Sequence, residues 1–200
     1  MISVNYKTKK GGYMKKLALY TVLLIASVSL YARPLGLAVG VTGGIERLTW
    51  EGGGTDNLTA IGLTATFSPP VLPLGIRAGL EYAWKNYDYY GDTTNVTSSA
   101  TFYDFSLFLG IEYYIALPLS PLSFYVGAGF ESSRFGGEIF EIAGLLEPGE
   151  SVTKNGFLIY GGVNLNVGMI TVFAESGYGR IFYEVWNAHL PLRGGIKVSF

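Results

Sequence analysis

Residues 74–85 read LGIRAGLEYAWK, and their alternation decides the fold. On an extended chain Leu74, Ile76, Ala78, Leu80, Tyr82 and Trp84 share one face, while Gly75, Arg77, Gly79, Glu81, Ala83 and Lys85 share the other. The hydrophobic period is 2, the signature of a strand with two unlike faces. Residues 101–113 repeat it, with Tyr103, Phe105, Leu107, Leu109, Ile111 and Tyr113 opposite Asp104, Ser106, Phe108, Gly110 and Glu112. The same pattern predicts strands over 124–131, 157–166, 170–175 and 192–200, and more weakly over 35–45 and 58–67, which makes eight.

The breaks alternate in length. Residues 68–73, 116–121 and 168–169 are compact turns, two of them bounded by proline, whereas 51–57, 86–95, 132–155 and 183–188 are longer and polar. In an up-and-down sheet this clips one rim tightly and leaves loops on the other. The charged residues at strand positions, Arg77, Glu81, Lys85, Asp104, Glu112, Glu131, Glu175, Arg193 and Lys197, fall on the faces that also carry glycine. A soluble barrel hides its apolar face inside. Here small and charged side chains instead suit the narrow interior of an eight-stranded barrel, where opposite charges pair, and the apolar faces meet lipid. Trp50, Tyr82, Trp84 and Tyr103 fall towards the loop rim, and Phe67, Tyr113, Phe124 and Phe200 towards the turn rim, as interfacial girdles would. The expected fold is all-β, a closed eight-stranded antiparallel up-and-down transmembrane β-barrel over residues 33–200, with these nine charges forming an interior network.

Composition agrees. Of 200 residues 49% are hydrophobic and only 14% charged, against about 25% charged in soluble domains. The absence of cysteine excludes disulfides, thiolate metal sites and cysteine nucleophiles, and a single histidine leaves little beyond carboxylates to ligate a metal. No metal and no cofactor are expected. A net charge of -1 argues against a nucleic-acid partner. Lys7, Lys9, Lys10, Lys15 and Lys16 precede the apolar run 17–30, which ends near the small Ala32; residues 1–32 therefore read as a secretory signal peptide. The run is shorter than the roughly 20 residues a spanning helix needs. Met14, directly before two lysines, offers an alternative start. Without residues 1–32 the chain keeps all 15 acidic residues but loses five of its 14 basic ones, and becomes clearly acidic.

The chain ends RGGIKVSF, an alternating strand closed by Phe200. With the leader, the eight strands and the alternating loop lengths, residues 33–200 resemble the small eight-stranded bacterial outer-membrane barrels of the OmpX, OmpA-barrel and OmpW type. The resemblance implies an integral outer-membrane location with extracellular loops and periplasmic termini, and a role for Phe200 as the assembly signal. It also implies outer-membrane lipid and the barrel-assembly machinery as partners. A monomer is expected.

Some barrels of this kind modify lipid A, and the deacylases among them carry His and Ser two residues apart on one strand. The residue two after His189 is Pro191, so that motif is absent, and His189 reads as an ordinary residue of the loop rim. No catalytic residue is assigned. Glu81 and Glu112 read as partners of Arg77, Arg193 and Lys197 rather than as an acid–base pair. Gly52-Gly53-Gly54 lacks the lysine of a phosphate loop and reads as a loop tip. In the third long connection, residues 131–141 could extend two strands beyond the membrane, with 143–149 as the tip. Glu138, Ile139, Phe140, Glu141, Leu145 and Leu146 form a candidate contact loop for a host or envelope surface ligand, or else a lid over the barrel mouth. The leading expectation is a non-enzymatic barrel with a plugged interior, serving surface contact or membrane structure. A narrow OmpW-like conduit for small hydrophobic molecules is the alternative, and a lipid A-modifying enzyme the third reading.

Overall fold

The computed structural model describes residues 36–50, 54–69, 72–90, 97–138, 147, 149–182 and 186–200. Residues 1–32, read above as a signal peptide, lie outside them. Eight strands follow in order: β1 (Leu37–Trp50), β2 (Thr55–Phe67), β3 (Leu74–Tyr90), β4 (Thr97–Ala116), β5 (Leu122–Gly136), β6 (Ser151–Val167), β7 (Ile170–Ile181) and β8 (Trp186–Ser199). Each pairs antiparallel with the next, and β8 closes on β1 through Val41↔Ile196 and Ala38↔Ser199. In lipid no water replaces a missing backbone partner, so a spanning sheet has to close.

The wall is turned inside out relative to a soluble barrel. Leu109 and Ile111 on β4 are 60% and 62% exposed, while Glu112 next to them is 1% exposed. On β3 the outward set runs from Leu74 to Trp84, which at about 3.3 Å per residue and a tilt of roughly 40° spans about 25 Å, the height of an apolar membrane belt. At the loop end of this belt Tyr82 stacks on Trp84 and Tyr103, with ring centroids 5.6 and 6.3 Å apart. Phe67, Tyr113, Phe124 and Phe200 are exposed at the turn end. The side chain of Trp50 lies outside the described residues.

The tight rim is built as its composition dictates. Gly168 and Met169 alone join β6 to β7, with Gly168 at φ 61°, a conformation that a Cβ would penalise. The other rim corrects the sequence expectation, because most strands run further towards the loops than the alternation suggests: β3 to Tyr90, β5 to Gly136, and β6 from Ser151. The reason lies in the inward face, which changes there from charge and glycine to Leu48, Leu58, Ala83, Phe102, Phe135 and Ile181. Once both faces carry apolar groups the period-2 signal fades, although the ladder continues. Pro191 sits inside β8, where it cannot donate to a neighbour. The β7–β8 register is correspondingly interrupted between Ser176↔Leu192 and Gly179↔His189.

The outward face gives a direct test of the architecture. Leu109→Arg at the middle of the belt should cost about 2–4 kcal/mol, although an exposed leucine on a soluble protein would tolerate it. Refolding titrations into vesicles, read by the heat-modifiable gel shift, measure this; an unchanged midpoint would mean that this face does not meet lipid.

Candidate functional site: the filled lumen

Inward-facing residues stack in layers along the barrel. Near the turns Asn164, Ser123, Thr171 and Ser199 are buried, and the Asn166 amide donates to Ser123 Oγ at 3.2 Å. Above them Arg77 holds the waist. Its guanidinium donates to Glu175 through two nitrogens, at 2.5 and 2.9 Å, to Glu112 at 3.3 Å and to Thr64 Oγ1 at 3.0 Å. The planar fork makes this two-point grip on a carboxylate possible. Tyr125 donates its hydroxyl to Glu175 at 2.6 Å, and Tyr114 donates to Glu112. The Lys197 ammonium lies 4.3 Å from the centroid of the Phe173 ring and 5.3 Å from that of Tyr125.

One step towards the loops, Arg193 pairs with Glu81 at 2.5–2.6 Å and reaches Glu175 at 3.7 Å. The next layer centres on His189, which is fully buried between two carboxylates: Nδ1 is 2.6 Å from Glu46 Oε1 and Nε2 is 3.0 Å from Glu131 Oε2. Only the Nδ1 contact has hydrogen-bond geometry, while Nε2 faces Glu131 at ion-pair distance. Asp104, also fully buried, joins this layer, with Ser106 donating to it at 3.5 Å and its Oδ1 left without a partner. The apolar layer of Leu48, Leu58, Phe102, Phe135 and Ile181 covers the cluster on the loop side.

The placement of His189 corrects its reading as a rim residue. It faces inward because it shares the parity of Arg193 and Lys197 on β8, a relation hidden when the strand is started at Leu192. Glu46 was missed likewise, lying one residue beyond the expected end of β1. Lys85 stands apart from the interior network: it is half-buried above the apolar layer, where it pairs with Asp56 and lies 4.5 Å from the Tyr87 ring centroid. Of the candidate contact loop only Glu138 is among the described residues, exposed and accepting from the Thr101 amide at 3.4 Å. Ile139, Phe140, Glu141, Leu145 and Leu146 lie outside them.

Glycine makes room for these large groups. A Cβ on Gly127 would lie 2.5 Å from the Tyr160 ring, on Gly110 2.5 Å from Phe108, on Gly162 2.6 Å from Tyr125 and on Gly195 2.7 Å from Phe173. On Gly179 it would sit 1.7 Å from His189 Nε2. Each of these rings lies across a glycine, so the lumen is packed rather than open. The void bordered by Arg77, Glu81, Phe108, Tyr160 and Arg193 is about 30 Å³, room for about two or three water molecules. Among the described residues no group of His, Asp and Glu is arranged to hold a metal ion.

A closed wall, an apolar belt outside and a polar filling within make a transmembrane β-barrel with the fold of the small eight-stranded outer-membrane proteins. Its fold is similar to that of Neisserial surface protein A, with 18% identity and a TM-score of 0.60, over 82% of this chain and 97% of that one. It is also similar to Ail, the attachment invasion locus protein of Yersinia pestis, solved in complex with the heparin analogue sucrose octasulfate: 15% identity, TM-score 0.50, over 80% and 96% of the two chains. No family model and no curated protein matches the sequence.

The lumen makes separable demands on stability. Arg77→Ala strands Glu112 and Glu175 in the interior and should cost about 3–5 kcal/mol. Asp104→Asn keeps the shape of the side chain but cannot ionise beside Glu46, Glu81 and Glu131, and should not lower the temperature at which the folded gel band is lost. Gly179→Ala should lower that temperature by displacing His189. Combined with His189→Ala it should cost less than the two single changes added together; strict additivity would show that the ring and the glycine do not meet.

Proposed function

We propose that this protein is a non-enzymatic, plugged barrel of the outer membrane, whose work is done by its external loops and by its contact with the bilayer. The observation that carries the reading is the filled lumen. Ion pairs from Arg77 to Glu112 and Glu175, and from Arg193 to Glu81, cross the interior beneath an apolar layer, and the neighbouring void holds about 30 Å³. A conduit for small hydrophobic molecules needs an apolar passage wider than this, so the packing favours the plugged reading. Opposite charges gripping one another across the barrel also favour a structural role for these carboxylates over acid–base work.

The orientation that fits puts the short turns and both ends of the barrel in the periplasm and the loops outside. Phe200 then meets the assembly machinery, and outer-membrane lipid surrounds the belt. The contact loop around Glu138 faces a host or envelope ligand. Exposed Glu138, Glu147 and Glu150 favour a cationic ligand over a polyanion.

Single-channel recording on the refolded protein is the deciding experiment. No steady conductance is expected from the wild type, whereas Arg77→Ala combined with Arg193→Ala should admit intermittent current. A steady wild-type conductance, or uptake of hydrophobic solutes into vesicles, would remove the plugged reading. Retention on immobilised heparin at physiological salt is not expected, and strong retention would reverse the assignment of ligand charge.

A further inference from the structure

Among the described residues, the outward-facing strand positions carry four charged side chains, all towards the loop rim, and three of the four are arginine. Following lipid-facing positions from the turns towards the loops, the run Leu37, Val39, Val41, Gly43, Ile45 on β1 ends at Arg47. The run Ile170, Val172, Ala174, Ser176, Tyr178 on β7 ends at Arg180, and that on β5 ends at Arg134. All three arginines are exposed. The corresponding positions on β2, β3 and β6 are Asn57, Asn86 and Asn155, followed on β3 by the exposed Asp88. At the other rim the described turn residues 68–69, 72–73, 116–121 and 167–169 include no charged side chain. Arg77 and Arg193 are matched by carboxylates inside the barrel, but among the described residues Arg47, Arg134 and Arg180 form no ion pair.

Arg47 and Arg180 flank the same stretch of β8, since Arg47 pairs with Leu190 and Gly179 pairs with His189. Further towards the turns, past the exposed Ile45, Tyr178, Leu190 and Leu192, the surface is hollow. Gly194 of β8 pairs with Gly43 on one side and Ala174 on the other. A Cβ on Gly43 would meet only the Ala60 carbonyl at 3.9 Å, and one on Gly194 only the Phe173 carbonyl at 3.5 Å. Unlike Gly110, Gly127, Gly162, Gly179 and Gly195, these two accommodate no ring. Glycine weakens a strand, and inside one it often marks close approach by a ligand. Below the pair, Val41 and Ile196 line an open apolar groove with Val39, Val198, Leu63 and Leu80.

We propose that Arg47 and Arg180 bind the phosphate headgroup of an anionic membrane lipid, with an acyl chain of that lipid lying in the hollow over Gly43 and Gly194. The proposal rests on the membrane-barrel reading. Charge complementarity selects the occupant: two guanidiniums that form no ion pair among the described residues stand where the apolar belt meets the headgroups, above a hollow of acyl-chain polarity.

The test is native mass spectrometry of the full refolded chain in detergent, titrated with phosphatidylglycerol or with phosphatidylcholine of the same acyl chains. Phosphatidylglycerol should be retained at least about fivefold better, against the acidic charge of the protein. Arg47→Gln with Arg180→Gln should bring it down to the phosphatidylcholine level, while Arg134→Gln leaves the preference intact. Gly43→Leu with Gly194→Leu should reduce retention of both lipids. Equal retention of the two lipids by the wild type overturns the proposal without any variant. So does a preference that survives in the arginine double variant, or a dimer that the leucine variant dissolves, since a second copy would then be the occupant. A wild-type chain that shows no heat-modifiable band and does not enter vesicles would instead count against the membrane-barrel reading itself.

Discussion

Every backbone amide that crosses a bilayer must find its partner within the protein, and the rest of this structure follows from that constraint. It requires the sheet to close. Closure with eight strands leaves a lumen only wide enough for side chains. Alternation along each strand then delivers every second residue to that lumen and the others to lipid. The apolar half has an easy solvent, whereas the inward half must satisfy itself in a narrow, largely dry space.

Two devices meet that demand. Charges are matched across the barrel, with Arg77 spanning from β3 to Glu175 on β7 and Arg193 joining β8 to Glu81 on β3. Large rings are matched with absent side chains, so that Tyr160, Tyr125, Phe108, Phe173 and His189 each lie over a glycine. Together they explain why a chain with 28 glycines and 27 Tyr and Phe residues is packed inside rather than loose. Buried ion pairs seldom stabilise more than well-packed apolar groups of the same shape would. Their use here is more readily tied to register: a strand slipped by one residue would turn its charges towards lipid.

The layer around His189 is the least balanced part of the filling. Glu46, Glu131 and Asp104 converge on one imidazole, with Arg193 and Glu81 in the layer beneath. Most of the other interior carboxylates have a guanidinium within reach, but here a single ring serves two. The apolar layer above separates this cluster from the loop side, so its charges must be settled among themselves.

Much of the architecture was legible in residues 74–85 and 101–113, because side-chain period is a local property and two unlike faces cannot be disguised. Strand number, the alternation of tight and open rims, and the inward parity of Arg77, Glu81, Glu112, Glu175, Arg193 and Lys197 all follow from it. The loop-side ends of the strands were not legible, since Leu48, Leu58, Phe102 and Phe135 make the inner face apolar there and erase the contrast. Nor were the partners. His189 meets Glu46 across 143 positions of sequence, and Arg77 meets Glu175 across 98, through the register around the closed wall. By itself the sequence determined which face each side chain takes, because that depends only on neighbours along the strand. Only the tertiary structure decided which groups meet and that the lumen is full, because those depend on how eight strands are staggered when the barrel closes.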